Sequence, residues 1–144
     1  MNGNSFVILL LRSPLHPMLS GSTLLITVTG RKTGRQLTTP VNYYRDGDTL
    51  WVVTQRDRTW WRNLRGGAPV QLRLRGQAVS GMAEIVLDPE AVARQLGRYV
   101  QEIPMSARAL GIHVVDGEPN AEDLNRAAQS RVFARIQVCG PVIP

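Results

Sequence analysis

The chain has 144 residues, of which 43% are hydrophobic, and this composition fits one globular domain over residues 1–144 and argues against long disordered stretches. Lysine and arginine outnumber aspartate and glutamate by 17 to 11, so the formal charge of +6 favours an anionic partner such as nucleic acid, a membrane surface or an anionic small molecule. The one cysteine, Cys139, excludes an internal disulfide and favours the reducing cytoplasm, and we expect its thiol to be buried.

Near the N-terminus lies one apolar run, FVILLL at residues 6–11. It is too short to span a bilayer, and no positive charge precedes it beyond the amino terminus, so it makes a poor signal peptide. The run predicts a short helix that is either buried or amphipathic, and peripheral membrane contact is the alternative use for it.

The middle of the chain is predicted to be β-structure. Residues 23–30 (TLLITVTG) are rich in β-branched residues and end in glycine, which favours a strand. Residues 37–54 contain Asp46-Gly47, a strong hairpin signal. Pro40 cannot donate a hydrogen bond to a β-ladder, so we expect its strand to be at an edge or bulged at that point.

The second half continues this pattern with helices between the strands. Residues 70–87 predict a second hairpin around Gly76, because apolar residues alternate along both of its arms. A short helix is expected to begin at Thr59 and to stop at Gly66. This helix, two longer ones and a closing strand are predicted at residues 59–67, 88–103, 120–131 and 132–140. The result is a mainly β (α+β) fold with about six antiparallel strands, which either close into a small barrel or stack as a sandwich.

The side chains show no obvious catalytic centre. His16 and His113 are far apart and have no neighbours at metal-ligand spacing, so no metal site is expected. No serine or cysteine lies in a nucleophile motif, and we expect Tyr43, Tyr44 and Tyr99 to have packing or surface roles rather than to pass a proton. If the protein is an enzyme, a bound cofactor therefore supplies the chemistry.

The most unusual feature is a basic loop, GRKTGR at residues 30–35, between two predicted strands. Its three cations, Arg31, Lys32 and Arg35, repel one another, so their proximity needs an explanation. A solvated turn that keeps a sheet edge soluble is one. An anion-binding loop is the other, because glycines let backbone amides turn toward an anion and arginine matches phosphate and carboxylate geometry.

The order of several motifs resembles a known family. The stretch LLITVTGRKTGRQLTTPVNYYRDGDTLWVV, followed by WWRNL, is similar to the deazaflavin-dependent nitroreductases over roughly residues 24–87. These belong to the flavin/deazaflavin oxidoreductases, which resemble pyridoxamine phosphate oxidases. The resemblance implies a six-stranded antiparallel split β-barrel and the cofactor F420, an 8-hydroxy-5-deazaflavin with a phosphodiester and an oligoglutamate tail. It also implies hydride transfer from the reduced cofactor to a quinone, nitroaromatic or similar electron-poor acceptor.

The same resemblance implies a set of cofactor-binding residues. The basic loop would hold the phosphate and tail, a following strand would lie against the ring, and two further segments would approach its other end and close the pocket. In this order the residues are Arg31, Lys32, Thr33 and Arg35; Thr39, Pro40 and Val41; Thr54, Gln55 and Arg56; and Trp60, Trp61 and Asn63. Many relatives have a longer glycine-rich loop after the VV strand. Here TQRDRTWWRNL is shorter, so Arg56 or Arg58 would replace its phosphate contacts.

Three alternatives keep the fold and change the function. FMN also carries a phosphate, so an FMN-binding oxidoreductase is the nearest one, and a non-catalytic carrier of the cofactor is another. A nucleic-acid-binding barrel is not expected, because only 6% of residues are aromatic and none lies on the strand face that carries Arg73 and Arg75. The other expected partners are a small apolar electron acceptor and a second copy of the chain in a homodimer.

Overall fold

The computed structural model describes residues 23–141, and the helix predicted at residues 6–11 lies outside them. The chain order is β1 (Thr23–Thr29), β2 (Gln36–Asp46), β3 (Thr49–Gln55), a 3-10 helix (Trp60–Leu64), β4 (Ala68–Leu74), β5 (Gln77–Val86), α1 (Pro89–Glu102), α2 (Ser106–Leu110), β6 (Val114–Val115), β7 (Glu118–Pro119), α3 (Ala121–Ser130) and β8 (Arg131–Pro141). Six antiparallel strands form a closed barrel in the order β1-β2-β3-β8-β5-β4. The mainly β fold and the six-stranded barrel predicted from the sequence are confirmed.

Both predicted long helices are present, and each begins at a side-chain cap. The Asp88 carboxylate accepts a hydrogen bond from the Ala91 backbone N–H at 3.0 Å, and Asn120 caps α3 by accepting from Asp123 N–H at 2.9 Å. The short helix is a 3-10 helix, and the side chain of Thr59 makes no capping bond there. The helix α2 and the β6–β7 ribbon were not predicted.

Two apolar clusters lie on opposite faces of the barrel wall. Inside the barrel, alternate strand residues such as Leu72, Val52 and Ile136 fill the core. Outside it, Phe133 of β8 packs beneath α1, where Tyr99 lies with its ring centroid 6.0 Å away. The helices therefore cover part of the outer face of β2, β3 and β8, and β8 is buried on both sides around Phe133.

The expectation that Cys139 is buried is wrong, because its thiol is exposed. Residues of β8 alternate between the two faces of the barrel, and Ile136 points inward while Gln137 and Cys139 point outward. The helical layer that buries the outward-facing Phe133 does not bury these two residues. Within residues 23–141, no helix is long and apolar enough to cross a membrane.

Candidate functional site

The β2 and β3 strands separate at one end of the barrel. Their pairing runs from Asp46–Thr49 only as far as Asn42–Val53. Beyond that point β2 continues along β1 as far as Gln36, and β3 continues along β8 as far as Gln55. The facing backbone N–H and C=O groups of the two strands are thus not paired with each other here, and a ligand can bind them. Pro40 lies in this stretch and is paired only toward β1, so the predicted edge position is confirmed.

A cleft of about 190 Å³ opens between the separated strands, and we call it the strand cleft. Many of the residues that the family resemblance implied for the cofactor line it, although they come from three different elements: Thr39, Pro40, Val41, Thr54, Gln55 and Trp60. Arg58, which the shorter loop had suggested as a phosphate contact, also lines it, and the structure adds Asn42, Val53 and Arg131. Residues far apart in sequence thus meet at one opening.

The basic loop is hydrogen-bonded to the 3-10 helix beside this cleft. The loop is closed by a bond from Gly30 N–H to the Arg35 carbonyl at 2.7 Å. Asn63 accepts from the Arg31 backbone N–H at 3.1 Å and donates to the Trp60 carbonyl at 3.0 Å. The Arg31 guanidinium donates to the carbonyl of Arg65. Arg31 is therefore held against the 3-10 helix, whose first residue, Trp60, lines the strand cleft.

Three other residues of the implied set, Trp61, Thr33 and Arg56, make packing contacts or hydrogen bonds within the protein. Trp61 is only 2% exposed and lies in the barrel core, with the Arg65 guanidinium 5.2 Å from its ring centroid. Thr33 accepts from the Arg35 backbone N–H at 3.2 Å and so shapes the loop. Arg56 donates to the carbonyls of Leu87 and Arg131 at 2.9 and 3.2 Å.

Two further clefts adjoin the strand cleft. The arginine cleft, of about 520 Å³, is lined by Gln55, Arg56, Asp57, Arg62, Ser130 and Arg131. The helix cleft, of about 270 Å³, is lined by Asn42, Val53, Tyr99, Ile103, Met105, Ser106, Ala109, Leu110 and Arg131. The first suits an anion because it carries three guanidinium groups, and the second is mainly apolar.

Arg131 lines all three clefts, and sequence reasoning missed it. Its Nε is buried and has no hydrogen-bond partner among the described residues, as is also true of the Nε of Arg56. Its position follows from the pairing of Gln55 with Arg131, which joins β3 to β8. Local sequence carries no trace of that long-range pairing, so no motif could have identified this arginine.

Tyr99, a buried tyrosine, lines the helix cleft, and the buried Tyr44 packs against it with ring centroids 5.4 Å apart. Burial raises the pKa of Tyr44 despite the opposing charge of Arg98, and Gln95 donates to the Tyr44 hydroxyl. Burial also raises the pKa of Tyr99, well above its usual range. Both phenols therefore stay protonated at physiological pH.

Comparison with known proteins gives the family. The family model that matches this chain is the F420H(2)-dependent quinone reductase, over residues 14–113. The chain belongs to this family. The resemblance seen in the sequence is therefore confirmed, and so are the oxidoreductase class and the cofactor F420 of this quinone reductase family.

Solved structures share the fold at low sequence identity. A Listeria innocua protein, with a proposed pyridoxamine 5'-phosphate oxidase activity, is 13% identical over 87% of this chain and 90% of its own, with a TM-score of 0.55. A Bacteroides thetaiotaomicron protein with a proposed role in 5-nitroimidazole antibiotic resistance is 12% identical over 86% and 77%, with a TM-score of 0.50. A domain-swapped dimer is 16% identical over 91% and 92%, with a TM-score of 0.54. No curated protein matches the chain in sequence.

The residues present fit the F420 of the quinone reductase family. The separated strands offer backbone donors and acceptors to the polar edge of a planar ring. The orphaned Nε atoms of Arg56 and Arg131 and the exposed cations of the basic loop offer donors to anionic groups. No metal-binding group of histidine, cysteine or carboxylate residues forms in the part of the chain that the structure describes.

Proposed function

We propose that the protein uses reduced F420 to reduce a quinone or a similar electron-poor acceptor. The ring binds in the strand cleft, and the phosphate and oligoglutamate tail bind along the basic loop. The observation that carries this proposal is the strand cleft itself, where residues implied separately from β2, β3 and the 3-10 helix come together.

The spacing along β2 suits a ring with a long anionic tail. Thr39 is four positions after Arg35, which is about 13 Å along an extended strand at about 3.3 Å per residue. Cations at that distance from the ring contact the tail rather than the reacting atoms. The basic loop therefore contributes affinity and orientation, and it leaves the chemical step itself to the strand cleft.

The residues of this chain act mainly by positioning. When bound, reduced F420 supplies a hydride, and with one proton from solvent this converts a quinone to a hydroquinone. The strand edges, together with the polar side chains of Thr39, Thr54 and Gln55 that line the cleft, orient the ring.

A binding and turnover experiment tests the proposal. Trp60 lines the strand cleft, so tryptophan fluorescence should report cofactor binding, and F420 should bind more tightly than FMN. Reduced F420 should then be oxidised without oxygen by a soluble quinone, and more slowly without protein. Tighter binding of FMN would favour the FMN alternative, and F420 binding without turnover would favour a carrier.

Variants of the basic loop test where the tail binds. Lys32→Gln and Arg35→Gln should each weaken F420 binding about ten- to a hundred-fold, because a charge-assisted hydrogen bond contributes about 1.5–3 kcal/mol. The rate at saturating cofactor should be nearly unchanged. Arg73→Gln, on the exposed face of β4, is the matched control and should leave affinity unchanged. Unaltered affinity in both loop variants and in their double variant would mean that the loop is a solvated turn.

Arg31 is a less clean test of the tail site. Its guanidinium also bonds to the carbonyl of Arg65, so Arg31→Gln changes the loop's attachment as well as its charge. A loss of affinity in this variant therefore combines two causes, whereas the side chains of Lys32 and Arg35 make no hydrogen bond to another residue within residues 23–141.

A single domain, a homodimer and a cytoplasmic location stay predictions. Sedimentation velocity on the purified protein measures its oligomeric state directly. A monomer over the working concentration range would contradict the homodimer.

A further inference from the structure

Arg131 has an unsatisfied guanidinium at the point where the strand, arginine and helix clefts meet. It is the first residue of β8 and is paired with Gln55, the last residue of β3. Its side chain makes no hydrogen bond and no ion pair within residues 23–141, and its Nε is buried. A buried N–H without a partner is unfavourable, so a bound group that accepts from it removes that cost.

The neighbouring Arg56 differs, because backbone carbonyls already hold its guanidinium. Arg56 donates to the carbonyls of Leu87 and Arg131 at 2.9 and 3.2 Å. Asp57 lines the arginine cleft with both arginines, and within residues 23–141 it forms an ion pair with neither. The Arg131 guanidinium therefore keeps its charge and its donors for a bound molecule.

The wall of the strand cleft carries positive charge and no negative charge. Among the described residues that line it, Arg58 and Arg131 are the charged ones. The adjoining arginine cleft adds Arg56, Arg62 and Asp57. An acidic hydroxyl bound between β2 and β3 thus lies in a net positive field, which favours its ionised form and lowers its pKa.

F420 and FMN differ on the outer ring of their three-ring systems. F420 carries a hydroxyl group there, and FMN carries a methyl group at the same position. The hydroxyl is conjugated with the ring carbonyls, so it is more acidic than the phenol of tyrosine. Its ionised oxygen accepts strong hydrogen bonds, whereas a methyl group accepts none and would leave a buried donor unpaired.

We propose that Arg131 binds the ionised hydroxyl oxygen of the F420 ring and that this contact makes the strand cleft select the deazaflavin over FMN. This rests on the proposed function, because that function places the ring in the strand cleft. The basic loop directly precedes β2, whereas Arg131 lies on the opposite, β3–β8 side of the cleft. The tail and the ring oxygen are thus bound on different sides. A site built to bond an oxygen strongly rejects an analogue that lacks it.

The first experiment compares the two cofactors on one variant. Arg131→Met removes the charge and the Nε donor and keeps a flexible, unbranched side chain. It should weaken F420 binding about ten- to a hundred-fold, the usual contribution of a hydrogen bond to a charged group. FMN affinity should change less than about threefold, because its methyl group accepts no bond from Nε. Calorimetric titration measures both affinities, and thermal unfolding checks that the variant is folded.

Arg135→Met is the matched control for this comparison. Arg135 lies four positions further along β8, is exposed, pairs with Glu84 and lines none of the three clefts. The change removes the same charge from the same strand, and both cofactors should bind to it as they bind to the parent. An equal loss of F420 affinity in the two variants would overturn the assignment, because net charge alone would then explain it.

The second experiment follows the ring hydroxyl itself. Ionisation of a conjugated hydroxyl changes the visible absorbance of the ring, so a pH titration of oxidised F420 with excess protein gives its pKa without turnover. The pKa should be lower on the parent than in free solution, and Arg131→Met should raise it by at least about one unit. Arg131→Lys keeps the charge and lacks the guanidinium fork, so the pKa should stay low while F420 affinity falls only in part.

Two results would overturn the contact and leave the proposed function standing, provided that the parent reduces a quinone with reduced F420. Equal weakening of F420 and FMN in Arg131→Met would mean that Arg131 binds a group that both cofactors share, such as a ring carbonyl or the phosphate. An unchanged pKa of the bound hydroxyl in that variant would mean that Arg131 does not contact this oxygen. Conversely, F420 binding that depends on Arg131 without turnover of a quinone would contradict the proposed function and leave the contact in place.

Discussion

At the scale of single residues, the buried Asp123 joins α3 to the segment before β6 through several hydrogen bonds. Within residues 23–141 it is the one charged residue that is buried, and it lies in the first turn of α3. Its carboxylate accepts from the His113 backbone N–H at 2.9 Å and contacts His113 Nδ1 at 2.8 Å, and Arg126 donates to its other oxygen. The bond from the His113 N–H, then that from the His113 ring, lowers the pKa of Asp123 from 3.8 to about 2.

This shift makes a prediction about acid stability. Because the folded-state pKa lies below the unfolded value, the contribution of Asp123 is fully present above about pH 4 and is lost as the pH falls toward 2. Asp123→Asn should therefore lower the melting temperature at pH 7 and flatten the loss of stability between about pH 4 and pH 2. Thermal unfolding across that pH range measures both.

Glu122→Gln is the matched control for this prediction. It removes the same charge from the same turn of α3, and the Glu122 side chain makes no ion pair within residues 23–141. Glu122→Gln should leave the fall in melting temperature between about pH 4 and pH 2 unchanged. If the melting temperature falls equally steeply between about pH 4 and pH 2 in Asp123→Asn and in the parent, other carboxylates govern acid unfolding.

At the scale of elements, closure of the barrel depends on the close approach of β5 and β8. Gly81 lies in β5 next to a register shift against β8. A Cβ atom at Gly81 would come within 2.7 Å of Ile136 Cγ2 and 3.0 Å of the Gln137 carbonyl. Both belong to β8, and the Ile136 side chain is fully buried in the barrel, so it has little room to move.

Gly81→Ala should therefore destabilise the protein by about 1–3 kcal/mol, the usual cost of overpacking a core. Gly97→Ala is the contrasting variant, because a Cβ there meets only Leu124 Cδ1 at 3.4 Å and alanine favours a helix by about 0.5–1 kcal/mol over glycine. Urea unfolding of the two variants should show opposite signs. A Gly81→Ala protein as stable as the parent would show that β5 and β8 can move apart at this point and accommodate the added Cβ atom.

The elements that sequence could predict are those with long, regular patterns. Alternation along residues 70–87 predicted the second hairpin, and the sequence patterns of residues 88–103 and 120–131 predicted α1 and α3. The helix α2 has five residues and the β6–β7 ribbon four, too few for a periodic pattern to appear. The strand cleft depends on where the β2–β3 pairing stops, which is a property of two paired strands rather than of either sequence.

At the scale of the whole molecule, the excess positive charge is unevenly distributed. The ion pairs between described arginine and carboxylate side chains are Arg94–Glu90, Arg98–Asp46, Arg126–Asp123 and Arg135–Glu84. The cations of the basic loop and of the clefts belong to none of these pairs: Arg31, Lys32, Arg35, Arg56, Arg58, Arg62 and Arg131. Among the described residues, Asp57 is the one acidic residue that lines the strand or arginine cleft. Much of the net charge of +6 is thus concentrated around the proposed cofactor site.

Such a field should steer an anionic cofactor toward its site before contact. The rate of F420 association should fall as salt rises, because the Debye length shortens from about 30 Å at 0.01 M to about 3 Å at 1 M.

The effect of the local charge of the basic loop can be separated from that of the net charge with two variants of equal net charge. Lys32→Gln should slow association and reduce its salt dependence, whereas Arg94→Gln, which removes an exposed, paired cation from α1, should do so much less. Stopped-flow tryptophan fluorescence over a salt series measures both rates, and the effect should grow with the number of glutamates in the tail. Equal slowing by the two variants would mean that net charge alone attracts the cofactor and that the uneven distribution has no role in binding.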